Sequence, residues 1–153
     1  MSSKTDYFEN KLTDVLWRAQ SLTIGAQTLS WSAAPTVYTG LFTVTPSDSV
    51  AGTECTGGSY ARQPTVCSLT SMAGTQAAAS TTASTGTGGT TSNNAALTFT
   101  NMPACTAVAF GTFDAVTGGN LLEWAPLTGQ PISIAGGATA TFAAGTMTVQ
   151  EDN

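Results

Sequence analysis

Beyond Thr36 the sequence is a succession of short runs rich in Val, Ile, Thr, Phe and Tyr, cut apart by Gly, Pro and Asn. No other feature narrows the fold as much. The run from Thr36 to Thr45 is β-branched and aromatic and stops at Pro46-Ser47-Asp48, a turn sequence. Further strands are predicted over residues 65–70, 95–101, 107–113, 121–125, 132–134, 138–143 and 147–150. Turn chemistry separates them, at Gly57-Gly58, Asn101-Met102-Pro103, Thr117-Gly118-Gly119-Asn120, Gln130-Pro131, Gly136-Gly137 and Gly145. Leu97 and Phe99 alternate with Thr98 and Thr100, and Ala138, Ala140 and Phe142 with Thr139 and Thr141. That is the period of a strand with one face in a core. A parallel sheet needs helical crossovers, and the sequence supplies no second helix. The expected fold is therefore mainly β: an antiparallel β-sandwich or jelly-roll-like domain over 36–153, preceded by one N-terminal amphipathic helix.

The helix is predicted from Thr5 to Ala19, with Thr5 or Asp6 as N-cap and Asp6 and Glu9 near the positive end of its dipole. At about 100° per residue, Phe8, Leu12, Val15, Leu16 and Ala19 share one arc, while Tyr7 and Trp17 lie outside it. Lys4, Lys11 and Arg18 recur every seven residues along one edge of that stripe. Two readings stand side by side: the helix closes its own domain, or residues 1–20 form an arm that docks on a neighbouring subunit. The second reading makes Tyr7, Phe8, Lys11, Leu12, Val15, Leu16, Trp17 and Arg18 candidate interface residues. Residues 21–35 are expected as an extended lead-in. Residues 73–96, built from Gly, Ala, Ser, Thr, Asn and one Gln, are expected as a long low-complexity loop.

Charge excludes several functions. The chain has four Lys and Arg, nine Asp and Glu, no His and a net charge of −5. Without imidazole, the Ser-His and Cys-His dyads and His-ligated zinc cannot be built. Four cations are too few for a nucleic-acid surface. No apolar run reaches the roughly 20 residues of a membrane span. Charged residues are 8% of the chain, against about 25% in ordinary soluble domains. From Gln63 to Phe113 there is none at all. Such a surface lacks the mixed charges that keep free monomers apart, so much of it is expected to rest on other copies or another protein.

The remaining motifs have structural readings. Cys55, Cys67 and Cys105 lack metal spacing; Cys67 and Cys105 are expected as small buried hydrophobes, with a Cys55–Cys67 disulfide as the alternative. The N-terminal residues lack the apolar core of a secretory signal, so folding is expected in a reducing cytoplasm. Gly86-Thr87-Gly88-Gly89-Thr90 lacks the Lys of a phosphate loop. Asp114 and Glu123 flank a Gly-Gly turn and could serve as a glycosidase pair. The favoured reading has Asp114 capping the turn and Glu123 facing solvent. Arg62 is expected to pair with Asp48 or Glu54, with an intersubunit anchor as the alternative. No catalytic residue, metal or cofactor is expected.

Five segments carry a family resemblance: 3–12 (SKTDYFENKL), 37–48 (VYTGLFTVTPSD), 57–63 (GGSYARQ), 110–124 (FGTFDAVTGGNLLEW) and 140–145 (ATFAAG). On these the chain resembles a family of short tailed-bacteriophage virion proteins, often labelled tail-fibre proteins. The resemblance implies a virion structural protein, assembled in the host bacterial cytoplasm. Within that class the expected role is a capsid decoration, or cement, protein. Its partners would be the major capsid protein and other copies of itself, with no nucleic acid and no membrane. The alternative is a tail or tail-fibre component that serves tail assembly or binds host-surface glycans, with Tyr38, Trp31 and Trp124 as a sugar face.

Overall fold

The computed structural model describes residues 3–74 and 82–151. It contains one helix among the described residues, α1 (Asp6–Trp17), and thirteen strands. In chain order these are β1 (Leu22–Ile24), β2 (Gln27–Leu29), β3 (Thr36–Val44), β4 (Thr53–Glu54), β5 (Gln63–Val66), β6 (Thr90–Ser92) and β7 (Leu97–Phe99). They continue with β8 (Cys105–Ala107), β9 (Ala109–Phe113), β10 (Leu121–Pro126), β11 (Ile132–Ile134), β12 (Ala140–Phe142) and β13 (Thr148–Gln150). The fold is mainly β and antiparallel with a helix near the N-terminus, as the turn-punctuated sequence predicts. The chain divides into two compact units, 1–35 with 66–97 and 142–153, and 36–65 with 98–141.

The second unit is organised by β3. Its residues alternate between two faces, and both faces of its centre are covered, which explains the nearly continuous apolar run of its sequence. β3 lies between β9 and β4 in the order β10-β9-β3-β4, and β5 also pairs with β3. Opposite β3, the strand β9 is buried along its whole length. Their register places Tyr38 against Phe113, Gly40 against Gly111 and Phe42 against Ala109. Phe42, Ala109 and Phe113 form a core cluster, closed by Tyr38, Val108 and Leu121. Complete burial of a side chain like Phe42 is worth about 1.5–3 kcal/mol. The predicted strand 107–113 is two strands, broken at Val108, whose N–H donates to the Phe42 carbonyl (2.8 Å). The break lets β8 leave the main sheet and pair with β11.

In the first unit, β6 pairs with β13. The segment expected as an extended lead-in contains the β1–β2 hairpin, turning through Gly25 at φ +60°. Only Leu22 of the hairpin is buried; Ile24 and Leu29 are 64% and 61% exposed. The low-complexity stretch also differs from expectation. Ala73, Gly74, Ser84, Gly88, Gly89 and Thr91 to Asn93 are buried, and β6 lies inside the stretch. The polar Asn93 holds this end together. Its amide donates to the carbonyls of Ala95 (2.7 Å) and Ala143 (2.9 Å) and accepts from the Met147 N–H (2.9 Å). Small polar residues here make buried hydrogen bonds, an arrangement that composition alone does not separate from solvated loop. The rest of the predicted loop, 75–81, lies outside the described residues.

Candidate functional site

The densest polar cluster of the second unit is built around Arg62. Its guanidinium donates to both Glu54 oxygens, Nε to Oε1 at 3.0 Å and Nη2 to Oε2 at 2.9 Å. Nη1 donates to the carbonyls of Ala115 (2.8 Å) and Gly118 (2.7 Å), and the guanidinium carbon lies 3.3 Å from the Phe113 ring centroid. The Tyr60 hydroxyl donates to Glu54 Oε1 (2.7 Å) and accepts the Leu41 N–H (2.8 Å). The Tyr60 ring stacks on Phe99 at 6.0 Å between centroids. Burial raises the Tyr60 phenol well above its ordinary range, and the Glu54 carboxylate adds to that rise while the Leu41 N–H opposes it. Gly40 makes the cluster fit, because a Cβ there would lie 2.6 Å from Glu54 Oε1 and 3.1 Å from the Tyr60 oxygen. Beside it lies a cleft of about 360 Å³, lined by Glu54, Cys55, Tyr60, Arg62, Val116 and Thr117, among others. Glu54, Tyr60 and Arg62 direct these hydrogen bonds at one another and at the 114–120 turn, so the cluster braces the turn against the sheet.

The turn is closed as the sequence predicts. Asp114 accepts the Asn120 N–H (2.7 Å) on one oxygen and the Asn120 side-chain amide (2.7 Å) on the other. The Asn120 amide, then its N–H, hold the Asp114 carboxyl below its usual range. Glu123 stands opposite Thr112 on β10 and is half-buried instead of facing solvent. Of the two expected carboxylate partners for Arg62, the structure selects Glu54.

In the first unit, α1 is seated by a polar seam. Its buried residues include Glu9, Asn10, Thr13, Asp14 and Trp17. At 100° per residue these centre roughly 150° round the helix from the apolar arc. Thr13 donates to the Gly89 carbonyl (2.5 Å), Asn10 to the Gly86 carbonyl (2.8 Å), and the Trp17 indole to Glu151 (3.3 Å). The glycine run therefore serves as a helix seat: at Gly89 a Cβ would lie 2.8 Å from Glu9 backbone. Arg18 is completely buried and pairs with Asp14 at 2.5 Å. It also donates to the carbonyls of Met72 (3.2 Å) and Thr82 and to the Ser84 hydroxyl (3.3 Å).

The family described as Podophage GP4 fiber I protein gp80 matches residues 3–150. The chain belongs to this family. It is thus a phage virion structural protein of fibre type. No curated protein matches the sequence.

Within this fibre-type chain the candidate interface residues divide into two groups. Val15, Trp17 and Arg18 lie in the interior of the first unit, a correction to their placement on a contact surface. Arg18 is drawn in because Asp14, one turn earlier, gives it a buried partner. Tyr7 and Leu16 are 66% and 40% exposed, and Phe8, Lys11 and Leu12 are half-buried. Lys11 Nζ lies 6.0 Å over the Tyr7 ring. Arg62 is fixed within the second unit. Of the aromatic residues suggested as a sugar face, Tyr38 packs on the Phe42 cluster of the second unit, and in the first unit the Trp31 indole donates to the Val15 carbonyl (2.5 Å). Trp124 borders a shallow groove of about 330 Å³ with Asp48, Val50 and Leu122. Sequence reasoning missed the hairpin and the roles of Gly40 and Gly89. A glycine inside a β-type run, as at Gly40, is the signal that would have marked a close approach.

Proposed function

We propose that the chain is a subunit of the phage fibre that acts by passive contact, covering its exposed apolar residues against further copies of itself. The observation that carries this is the mismatch on α1. The helix turns a largely polar row inward and leaves Leu16 and Tyr7 outward, in the unit that also exposes Ile24, Leu29 and Trp31. A free monomer leaves those side chains in water, whereas an oligomer buries them at about 25 cal/mol per Å². Repulsion between copies is limited by the low charge density, 8% of residues. The family supports the fibre over a capsid-cement role.

Multi-angle light scattering on the full chain, beside the double variant Leu16→Glu/Ile24→Glu, tests self-association. The expected result is an oligomer that the double variant dissociates with unchanged circular dichroism. A wild-type chain that stays monomeric at high concentration would overturn it. Antibody labelling of intact particles tests the place: label at the tail supports the fibre, and label spread over the head returns the cement reading.

A further inference from the structure

Cys55 follows β4 and Cys105 opens β8, and within the second unit their sulfurs lie 2.9 Å apart. Both are free thiols. This is not the pairing suggested by the nearness of Cys55 and Cys67 in sequence. The approach is set by backbone on both sides: the Cys55 N–H donates to the Leu41 carbonyl (2.8 Å), and Cys105 stands in register with Ile134 of β11. A disulfide needs its sulfurs about 2.05 Å apart, so the bond closes with a shift of roughly 1 Å. From these positions we propose that Cys55 and Cys105 are an oxidisable dithiol that a small-molecule disulfide converts to an intramolecular bond once the chain leaves a reducing compartment.

The two sulfurs have different parts. Cys55 is buried, and that burial, reinforced by contact with Cys105, pushes its thiol up to about 12. Cys105 is half-buried and is the entry thiol. Its thiolate attacks one sulfur of the small disulfide, and one small thiolate leaves and takes up a proton. Cys55 then gives its proton to solvent and attacks the Cys105 sulfur, expelling the second small thiolate, which is also protonated. Two protein thiols are oxidised and one small disulfide is reduced to two thiols. The new bond ties β4, held in the main sheet by a two-residue ladder, to the β8–β11 pair. A virion subunit passes from a reducing cytoplasm to an oxidising exterior, so the bond would set after release.

The test incubates the full reduced chain with oxidised glutathione. The expected product loses two hydrogens in mass, retains Cys67 as its titratable thiol, and yields a non-reduced peptide joining Cys55 to Cys105. Its melting temperature rises by several degrees and falls back with dithiothreitol. Cys67→Ala should form the same bond at an unchanged rate, and Cys105→Ser should lose it. Three persisting thiols, a Cys55–Cys67 peptide, a stable glutathione adduct on Cys105, or disulfide-linked dimers would each overturn the proposal.

Discussion

Replacing Arg18 with Met removes the guanidinium while keeping most of the buried stem. Asp14 then loses the partner at 2.5 Å and retains the Ser84 N–H at 3.2 Å, in a site where neither side chain of the pair exceeds 3% exposure. The carbonyls of Met72 and Thr82 lose their donor as well. Breaking one side of a buried ion pair costs about 3–5 kcal/mol, because an uncompensated charge stays inside. At roughly 2–4 °C per kcal/mol for a chain of this size, the melting temperature should fall by about 6–20 °C. The double variant Asp14→Leu/Arg18→Met removes both charges and should recover most of that loss, giving a coupling of about 2 kcal/mol or more. Urea and thermal melts followed by circular dichroism supply the four corners of the cycle. The difference should persist in high salt, since a buried pair is little screened. A single-variant cost below about 1 kcal/mol, the range of exposed pairs, would refute the reasoning and make α1 a detachable arm.

Other outcomes follow from single positions. Gly40→Ala should destabilise by about 1–3 kcal/mol, because its Cβ meets Glu54 and Tyr60, and crystallography of the variant should show those side chains displaced. Ala19→Gly should stabilise by about 0.5–1 kcal/mol in a urea melt, since Ala19 ends the helix at φ +53°, where glycine has no steric penalty. Asp114 has a lowered folded-state pKa, so its contribution is present above the ordinary value of 3.8 and is lost as pH falls through the folded value. Asp114→Asn should therefore flatten the acid limb of the stability profile, and a limb identical to wild type would contradict the assignment.

The strand pattern was largely legible because a half-buried strand writes its geometry into the chain with period two, and Gly, Pro and Asn mark its ends. Thr36–Val44, Leu121–Pro126 and Ile132–Ile134 lie at or near their predicted limits. The run predicted at 65–70 lies instead at Gln63–Val66, since Ser68 to Ser71 close a hydrogen-bonded turn. Pairing partners were less legible. Which carboxylate meets Arg62 and which sulfur meets Cys55 depend on strand register, and neither hydropathy nor spacing encodes that.

The helix exposes the limit of the periodicity argument most clearly. An amphipathic arc predicts the buried face only when the partner surface is apolar, because burial of polar groups then goes uncompensated. Here the partner is the 82–92 segment, whose glycines and hydroxyl residues offer backbone carbonyls at close range. Thr13, Asn10 and Arg18 convert those carbonyls into hydrogen bonds, so the polar row becomes the face that burial favours. The apolar arc is then split: Val15 is buried with the polar row, Phe8 and Leu12 are half-buried, and Leu16 remains 40% exposed. Intramolecular docking uses one side of the helix, and the intermolecular contact proposed above would use another, so the two sequence readings of α1 do not compete for the same residues. The separation is measurable: Leu16→Glu should change assembly with little effect on folding, and Arg18→Met should weaken the fold of the subunit itself. If both variants lose stability together, the two faces are not independent and the contact surface must be sought elsewhere.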